Sequence, residues 1–250
     1  MSHKIGFFCH LITVWAVSSI LNFSAAYAEK GACLESRQGK KTGESLLVLI
    51  NKESDNQLRP DWAPRDLEEI PPRLMSPNTD QNQLLRGEVI KSFLQMVQAA
   101  QKENVSLFVQ SGYRSFDNQC QTFASKVSKW TGKFKSASKG LDYARKSSAE
   151  PGRSQHQLGT TLDIVFKDLN YKFSFLMTKN KAMSWLDKNA QDYGFVMSYP
   201  YADDDHDQQG YNSLTGYYFE PWHWRYIGIE SAKAFKASGL TLDRFLESHL

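Results

Sequence analysis

The stretch Ser154-Gln155-His156-Gln157-Leu158-Gly159-Thr160-Thr161-Leu162-Asp163-Ile164-Val165-Phe166 decides the fold. Its second half alternates, with Leu162, Ile164 and Phe166 on one face and Asp163 and Val165 on the other, which is the period of a strand over residues 160–166. An unpaired carboxylate within such a strand is costly unless it meets a metal or a cation. His156 stands seven residues earlier, at the edge of the same element.

Downstream, residues 183–193 read as a helix, 195–199 as a strand, and 217–219 as a last strand leading into Glu220. Upstream, apolar residues from Leu85 to Ala100 recur near helical spacing and predict an amphipathic helix over residues 84–102. Residues 106–110 then read as a strand and 116–130 as a helix. The apolar run Leu46-Leu47-Val48-Leu49-Ile50 suits a short buried strand, and the prolines at 60, 64, 71, 72 and 77 keep the loop after it from forming a long helix. Residues 133–148, basic and serine-rich, read as a surface connection. Strands and helices mix without a regular βαβ repeat, which predicts an α+β domain: a small antiparallel sheet flanked by helices.

Two further blocks carry chemistry. Glu220-Pro221-Trp222-His223 puts an acid three residues before a histidine, and Ser111-Gly112-Tyr113-Arg114-Ser115 delivers an arginine at a strand end. His156, Asp163 and His223 would give zinc two imidazoles and a carboxylate, leaving the fourth tetrahedral position open for water, as a catalytic site requires. Glu220, near the metal without binding it, suits a general base that passes a proton to the leaving amine. Arg114 offers a fixed positive fork for a substrate carboxylate or an oxyanion. Taken singly, each residue also has a structural reading: a core or surface histidine, a lysine-paired glutamate, an arginine in a salt bridge. The combination of the three blocks favours the site.

The ends set the compartment. Lys4, the mostly apolar Ile5-to-Phe23 segment and Ala26-Tyr27-Ala28 form the pattern of an export signal, so residues 1–28 are expected to be removed, 29–44 to be an exposed leader, and 45–250 to be the domain. The alternative, an uncleaved anchor, is weakened by His10 and the serines; no later stretch is apolar enough for stable membrane insertion. The remaining chain has 29 basic and 27 acidic residues, a balance that argues against nucleic acid as a partner. Cys33 and Cys120 are an even pair in an exported chain and are able to form a disulfide, with two buried thiols as the alternative.

On these three blocks the chain resembles the D-alanyl-D-alanine carboxypeptidases of the vancomycin-resistance type, in the zinc-peptidase group that also holds lysostaphin-like peptidases and the hedgehog signalling domain. The family pattern Ser-x-His-x-x-Gly-x-x-x-Asp is matched by Ser154, His156, Gly159 and Asp163, and Glu-Pro-Trp-His and Ser-Gly-Tyr-Arg-Ser are matched in full. The likeness runs from residues 46–52 and Asp61-Trp62-x-Pro64-x-Asp66-Leu67 to Tyr226-x-Gly228. It implies one zinc ion on His156, Asp163 and His223, with Glu220 as base and Arg114 facing the scissile region. It also implies that Gln119 and Ser154 hold the end of the substrate, and that Trp222 or Trp224 shapes the pocket.

The implied reaction is removal of the C-terminal D-alanine from peptidoglycan stem peptides by a periplasmic or extracellular enzyme. The alternatives within the group are an L,D-carboxypeptidase acting on tetrapeptide stems, an endopeptidase, and a zinc-stabilised binding module that does not cut. The chain departs from the family at Ser198-Tyr199-Pro200, where an arginine often precedes the tyrosine, and in the long acidic loop 201–215. That loop lacks the spacing of a calcium site and is expected to be solvated.

Overall fold

A computed structural model describes residue 33 and residues 36–79, 82–202 and 209–249. The expected signal segment 1–28 and the run Asp203-Asp204-Asp205-His206-Asp207 lie outside the described residues. A two-stranded ribbon, β1 (Leu67–Glu69) with β2 (Leu84–Arg86), precedes a four-stranded antiparallel sheet. The strands of that sheet are β3 (Phe108–Ser111), β4 (Thr161–Val165), β5 (Phe195–Met197) and β6 (His223–Tyr226), in the order β3-β4-β6-β5. The helices are α1 (Gly87–Lys102), α2 (Phe116–Phe134), α3 (Ala137–Ser147), α4 (Lys181–Asn189), α5 (Ile229–Ser238) and α6 (Leu242–Glu247). This is the α+β arrangement expected, with helices around a small sheet.

The alternation read in β4 holds. Leu162, Ile164 and Phe166 enter the main core with Val89, Phe93, Met96 and Val97 of α1, whereas Asp163 faces the opposite side. Phe93 and Phe195 meet edge to face, and Phe195 in turn packs on Tyr226, joining α1 to β5 and β6. Each such aromatic pair adds about 0.5–1.5 kcal/mol beyond the burial of its area.

Four segments differ from their sequence reading, each because backbone partners lie elsewhere. Residues 46–50, half-buried at 46–48 and buried at Leu49 and Ile50, form no strand. The carbonyls of Leu46 and Val48 accept from Nη2 of the buried Arg225, at 3.0 and 2.7 Å, instead of from a ladder. Residues 217–219 make only one bridge, Asn212 to Tyr217, since the amides of Tyr218 and Phe219 donate to Lys146 O and Gly210 O; the last strand is β6, beyond Glu220. The expected surface connection 133–148 is largely the helix α3. Lys135 leaves α2 in the left-handed region (φ 50°) and Ser136 caps α3 by accepting from the Lys139 amide. Gly140 lets α3 cross α2 closely, because a Cβ there would lie 2.4 Å from Thr131 Oγ1. Finally, residues 84–86 belong to β2 and not to the helix that follows.

Residues 36–44 lie along the domain: Lys41 N donates to Gln57 O, Arg59 N to Lys41 O, and Gln57 Nε2 to Ser36 O. Cys33 and Cys120 are joined in a disulfide that ties this segment to α2.

Candidate metal centre and catalytic cleft

Each of the three sequence blocks contains a turn or element edge that brings its side chains to a common cleft. Residues Gln155–Leu158 form a 3₁₀ turn that closes on Gly159 (φ 67°), whose amide donates to His156 O. A Cβ at this position would add a 2.9 Å contact with Leu67 Cδ2 to an unfavourable φ. The chain then enters β4, and Asp163 is its central residue.

Glu220-Pro221-Trp222-His223 is a β-turn closed by His223 N donating to Glu220 O at 3.0 Å, with proline at the second position, where its fixed φ suits the turn. The turn brings Glu220 Oε2 to 3.5 Å from His223 Nδ1. At Ser111–Ser115, β3 ends and α2 begins. Gly112 is required because a Cβ would fall 2.5 Å from Leu84 O. Ser115 is the N-cap, accepting from the Asn118 amide, and this fixes Arg114 one residue before it.

Sheet register completes the assembly. Asp163 lies opposite His223 on β6 and Ser111 on β3, so residues from three strands converge. His156 Nε2 is 3.5 Å from Asp163 Oδ2, and His223 Nδ1 is 3.4 Å from Asp163 Oδ1. All three side chains are more than nine-tenths buried. One donor atom from each lies within 4.8 Å of the others.

The outer nitrogens decide what this cluster is for. His156 Nδ1 donates to Gly112 O at 2.7 Å, and His223 Nε2 donates to Gln155 Oε1 at 3.2 Å, so the inner nitrogens carry lone pairs. Two lone pairs then face a buried carboxylate whose Oδ1 makes no hydrogen bond. Such an arrangement is repulsive unless a proton or a metal cation sits among the three. Ligands at about 2.0–2.1 Å from a tetrahedral zinc stand about 3.3–3.4 Å apart, which is close to the two separations observed. The residues fit zinc.

Burial alone would raise the Asp163 pKa, but a proton carried on the inner nitrogen of His156 or His223 outweighs it, so that without a metal the carboxyl is held below the usual range. Glu220 goes the other way: burial raises it, against the pull of His223, Lys126 and Arg114. Arg114 donates from Nη1 to Gln119 Oε1 at 2.8 Å and from Nη2 to Ser111 Oγ at 3.0 Å, so its fork is held from two sides. Gln119 is 1 % exposed and also donates to Ala149 O at 2.6 Å. Its amide joins Arg114 to the Ala149 carbonyl, and the residue lines the cleft. Ser154 is buried and lines the cleft, as does Trp222, whereas Trp224 belongs to the core.

Three cleft residues were not singled out from sequence. Gln155 joins His223 to Ser198, which donates to Gln155 Oε1 at 2.7 Å; its only signal was its place beside His156. Lys126 lies on the face of α2 shared by Gln119 and Thr122, lines the cleft, and donates to Ser147 O at 2.7 Å. Burial lowers its pKa, against the attraction of Glu220. Tyr199 packs its ring 4.7 Å from that of His223.

Comparison with known proteins identifies the family. The profile of the VanY D-alanyl-D-alanine carboxypeptidase family matches residues 82–229, more than half of the chain. The chain belongs to this family. It is 31 % identical over 204 residues to the putative carboxypeptidase YodJ of Bacillus subtilis, covering 82 % of this chain and 68 % of that one. It is 28 % identical to a D-alanyl-D-alanine carboxypeptidase of Enterococcus faecalis, covering 96 % of this chain and 86 % of that one. Among solved structures, the LD-carboxypeptidase LdcB superposes with a TM-score of 0.69 at 32 % identity, over 83 % of this chain and 89 % of that one. A variant of the vancomycin-resistance D,D-pentapeptidase VanY, in complex with Zn(II), superposes with a TM-score of 0.62 at 28 % identity, over 80 % of this chain and 98 % of that one. Family and donor set together make the protein a zinc metallopeptidase.

Proposed function

We propose that the protein removes the C-terminal D-alanine from peptidoglycan stem peptides, with His156, Asp163 and His223 holding the zinc ion. Bound there, zinc supplies Lewis acidity and lowers the pKa of water towards neutrality. Glu220, whose pKa burial raises, accepts the proton of the attacking water and returns it to the leaving amine. Arg114, held by Gln119 and Ser111, binds the terminal carboxylate and so positions the last peptide bond over the metal donors. Ser154 borders the same end of the cleft.

The observation that carries this reading is the part-buried Arg114 fork beside the metal donors, since a guanidinium fixed in a cleft favours a substrate with a free carboxylate. The test offers pentapeptide and tetrapeptide stems, each as free acid and as terminal amide, and weighs the products. Free-acid pentapeptide should lose one D-alanine, and amidation should lower kcat/KM about 100-fold or more. Cleavage of the tetrapeptide alone would move the protein to the L,D-specific reading, which the similarity to LdcB favours. Equal cleavage of acid and amide would remove the carboxypeptidase reading.

We also propose export, with residues 1–28 removed, a leader at 29–44 and the domain at 45–250. The Cys33–Cys120 disulfide supports an oxidising compartment outside the cytoplasm. Among the described residues no helix is long and apolar enough to cross a membrane. Mass measurement of the protein recovered from its native cell tests the cleavage after Ala28: an intact residue 1 refutes it.

A further inference from the structure

The wall of the cleft built by α2 carries a second cation besides Arg114. Gln119, Thr122 and Lys126, three and four residues apart, share one face of that helix, and all three line the cleft. Residues 147–149 run beside this face: Ala149 O accepts from Gln119 Nε2 at 2.6 Å, and Ser147 O accepts from Lys126 Nζ at 2.7 Å. Arg114 and Lys126 are thus fastened to one wall, the arginine through Gln119.

Lys126 is half-buried, and its hydrogen-bond partner is that one neutral carbonyl. An ammonium has three donors, so two remain. Among the described residues Lys126 makes no ion pair; Glu220 and Asp163 act on it only through space. Withdrawing an ammonium from water is costly without a counter-charge, and the cleft is where one can arrive.

The charges lining the cleft do not supply it. Arg114 and Lys126 are balanced by Asp163 and Glu220, so the charge of a divalent metal ion on the three donors is left over. The terminal carboxylate of a stem neutralises half of that charge. A second carboxylate on the same ligand neutralises the rest.

The helix also sets where that group must lie. Lys126 is seven residues past Gln119, which is about 10 Å of helix. Extended peptide covers that distance in about three residues at ~3.3–3.6 Å each. With the terminal carboxylate on Arg114, a carboxylate facing Lys126 belongs to a residue two or three before the last. A pentapeptide stem can carry one at either place. The third residue can be a diamino diacid in place of lysine, and the second a γ-linked glutamate whose α-carboxylate is free or amidated.

Resting on the stem-peptide reading above, we propose that Lys126 is a specificity-determining residue that binds a second carboxylate of the stem, so that the preferred substrate is dianionic near its cleaved end. The test compares kcat/KM for pentapeptide stems with diamino diacid or lysine at the third residue, each with the second-residue α-carboxylate free or amidated. One of the two carboxylates should raise kcat/KM about 10- to 100-fold, and the pair of comparisons identifies which. Lys126→Met should bring that ratio to within about threefold of one, and Lys126→Arg should keep most of it. The influence of Lys126 on Glu220 is common to all four stems and cancels in the ratio.

A wild-type ratio near one for both carboxylates overturns the proposal. So does a ratio unchanged in Lys126→Met, or an equal loss on every stem, which would assign Lys126 to the terminal carboxylate or to Glu220 alone. If Lys126→Met does not fold, Lys126→Gln, which keeps a donor, carries the same comparison. Dissociation constants of the four stems on zinc-loaded Glu220→Gln protein, with and without the Lys126 change, should show the same preference. Failure of the wild-type protein to release D-alanine from any stem would count against the carboxypeptidase reading, while these binding ratios still decide the role of Lys126.

Discussion

Replacing Gln155 with leucine should weaken zinc binding although Gln155 is not one of the three donors. In the native protein Gln155 Oε1 accepts from both His223 Nε2, at 3.2 Å, and Ser198 Oγ, at 2.7 Å. Leucine removes the acceptor and leaves two buried donors, each costing about 1–3 kcal/mol. The two losses act on different equilibria. Ser198 lies away from the donor atoms, so its loss lowers fold stability with or without metal. The His223 loss is coupled to zinc, because an imidazole without a partner at Nε2 can place its proton on Nδ1, towards Asp163 Oδ1 at 3.4 Å, and so block the inner lone pair. Only the second cost appears in metal affinity, which should fall about 10- to 100-fold. Competition against a chromophoric chelator at fixed pH measures this, and thermal unfolding of the metal-free proteins measures the Ser198 part. Gln155→Glu keeps an acceptor and adds charge, so it should bind zinc at least as tightly as the native chain. Zinc affinity within twofold of native in Gln155→Leu would refute the assignment of Gln155 as the group that sets the His223 tautomer.

His156→Ala should release zinc, whereas Glu220→Gln should retain it and lose turnover by several orders of magnitude; metal content beside kcat separates the two, and zinc loss in Glu220→Gln would make Glu220 a ligand. Lys126→Met removes a cation that pulls the Glu220 pKa down. The base is active when ionised, so the acidic limb of the kcat/KM profile should move to higher pH, and an unmoved or lowered limb counts against the coupling. Burial raises Asp243 to about 6, so the folded state holds its proton more tightly than the unfolded chain. Its contribution to stability is therefore full below the unfolded pKa and lost as pH rises through about 6. Asp243→Asn should stabilise the protein by about 2–3 kcal/mol at pH 8 and by little at pH 4, as read from denaturant midpoints at the two values.

The elements legible in the sequence were those whose burial is one-sided. The spacing from Leu85 to Ala100 gave α1 because one face of that helix meets the core while the other meets water, and the alternation in β4 gave its register for the same reason. The run 46–50 misled because periodicity cannot say whether a uniformly apolar segment bonds to a strand or, as here, to an arginine. α3 was hidden by composition: its serines and lysines suit a surface, yet Ser136 is its cap and Gly140 its contact with α2. At the site, the side chains facing the donor point were legible because each stands in a short block in which a turn adjoins a strand. Lys126 was not, since it reaches the cleft from the second half of a helix and only the packing of α2 beside Glu220 gives it meaning.

The dependence of the site on the fold follows from one register. Asp163 is opposite both Ser111 and His223, so the distance between two of the metal donors is set by strand pairing across 60 residues of chain. Slipping β4 by one residue would turn Asp163 into the core, bring Leu162 and Ile164 to the cleft, and bury a carboxylate without imidazole partners. The burial of Leu162 and Ile164 against α1 therefore holds the metal geometry as firmly as the hydrogen bonds from His156 and His223 do. Gly159 and Pro221 act at the ends of the same strands: one turns the chain from His156 into β4, and the other turns it from Glu220 into β6. The spacings His-x₆-Asp and Glu-x-x-His are thus the lengths of two turns measured up to a sheet, which is why so short a pattern locates a site assembled from three distant segments.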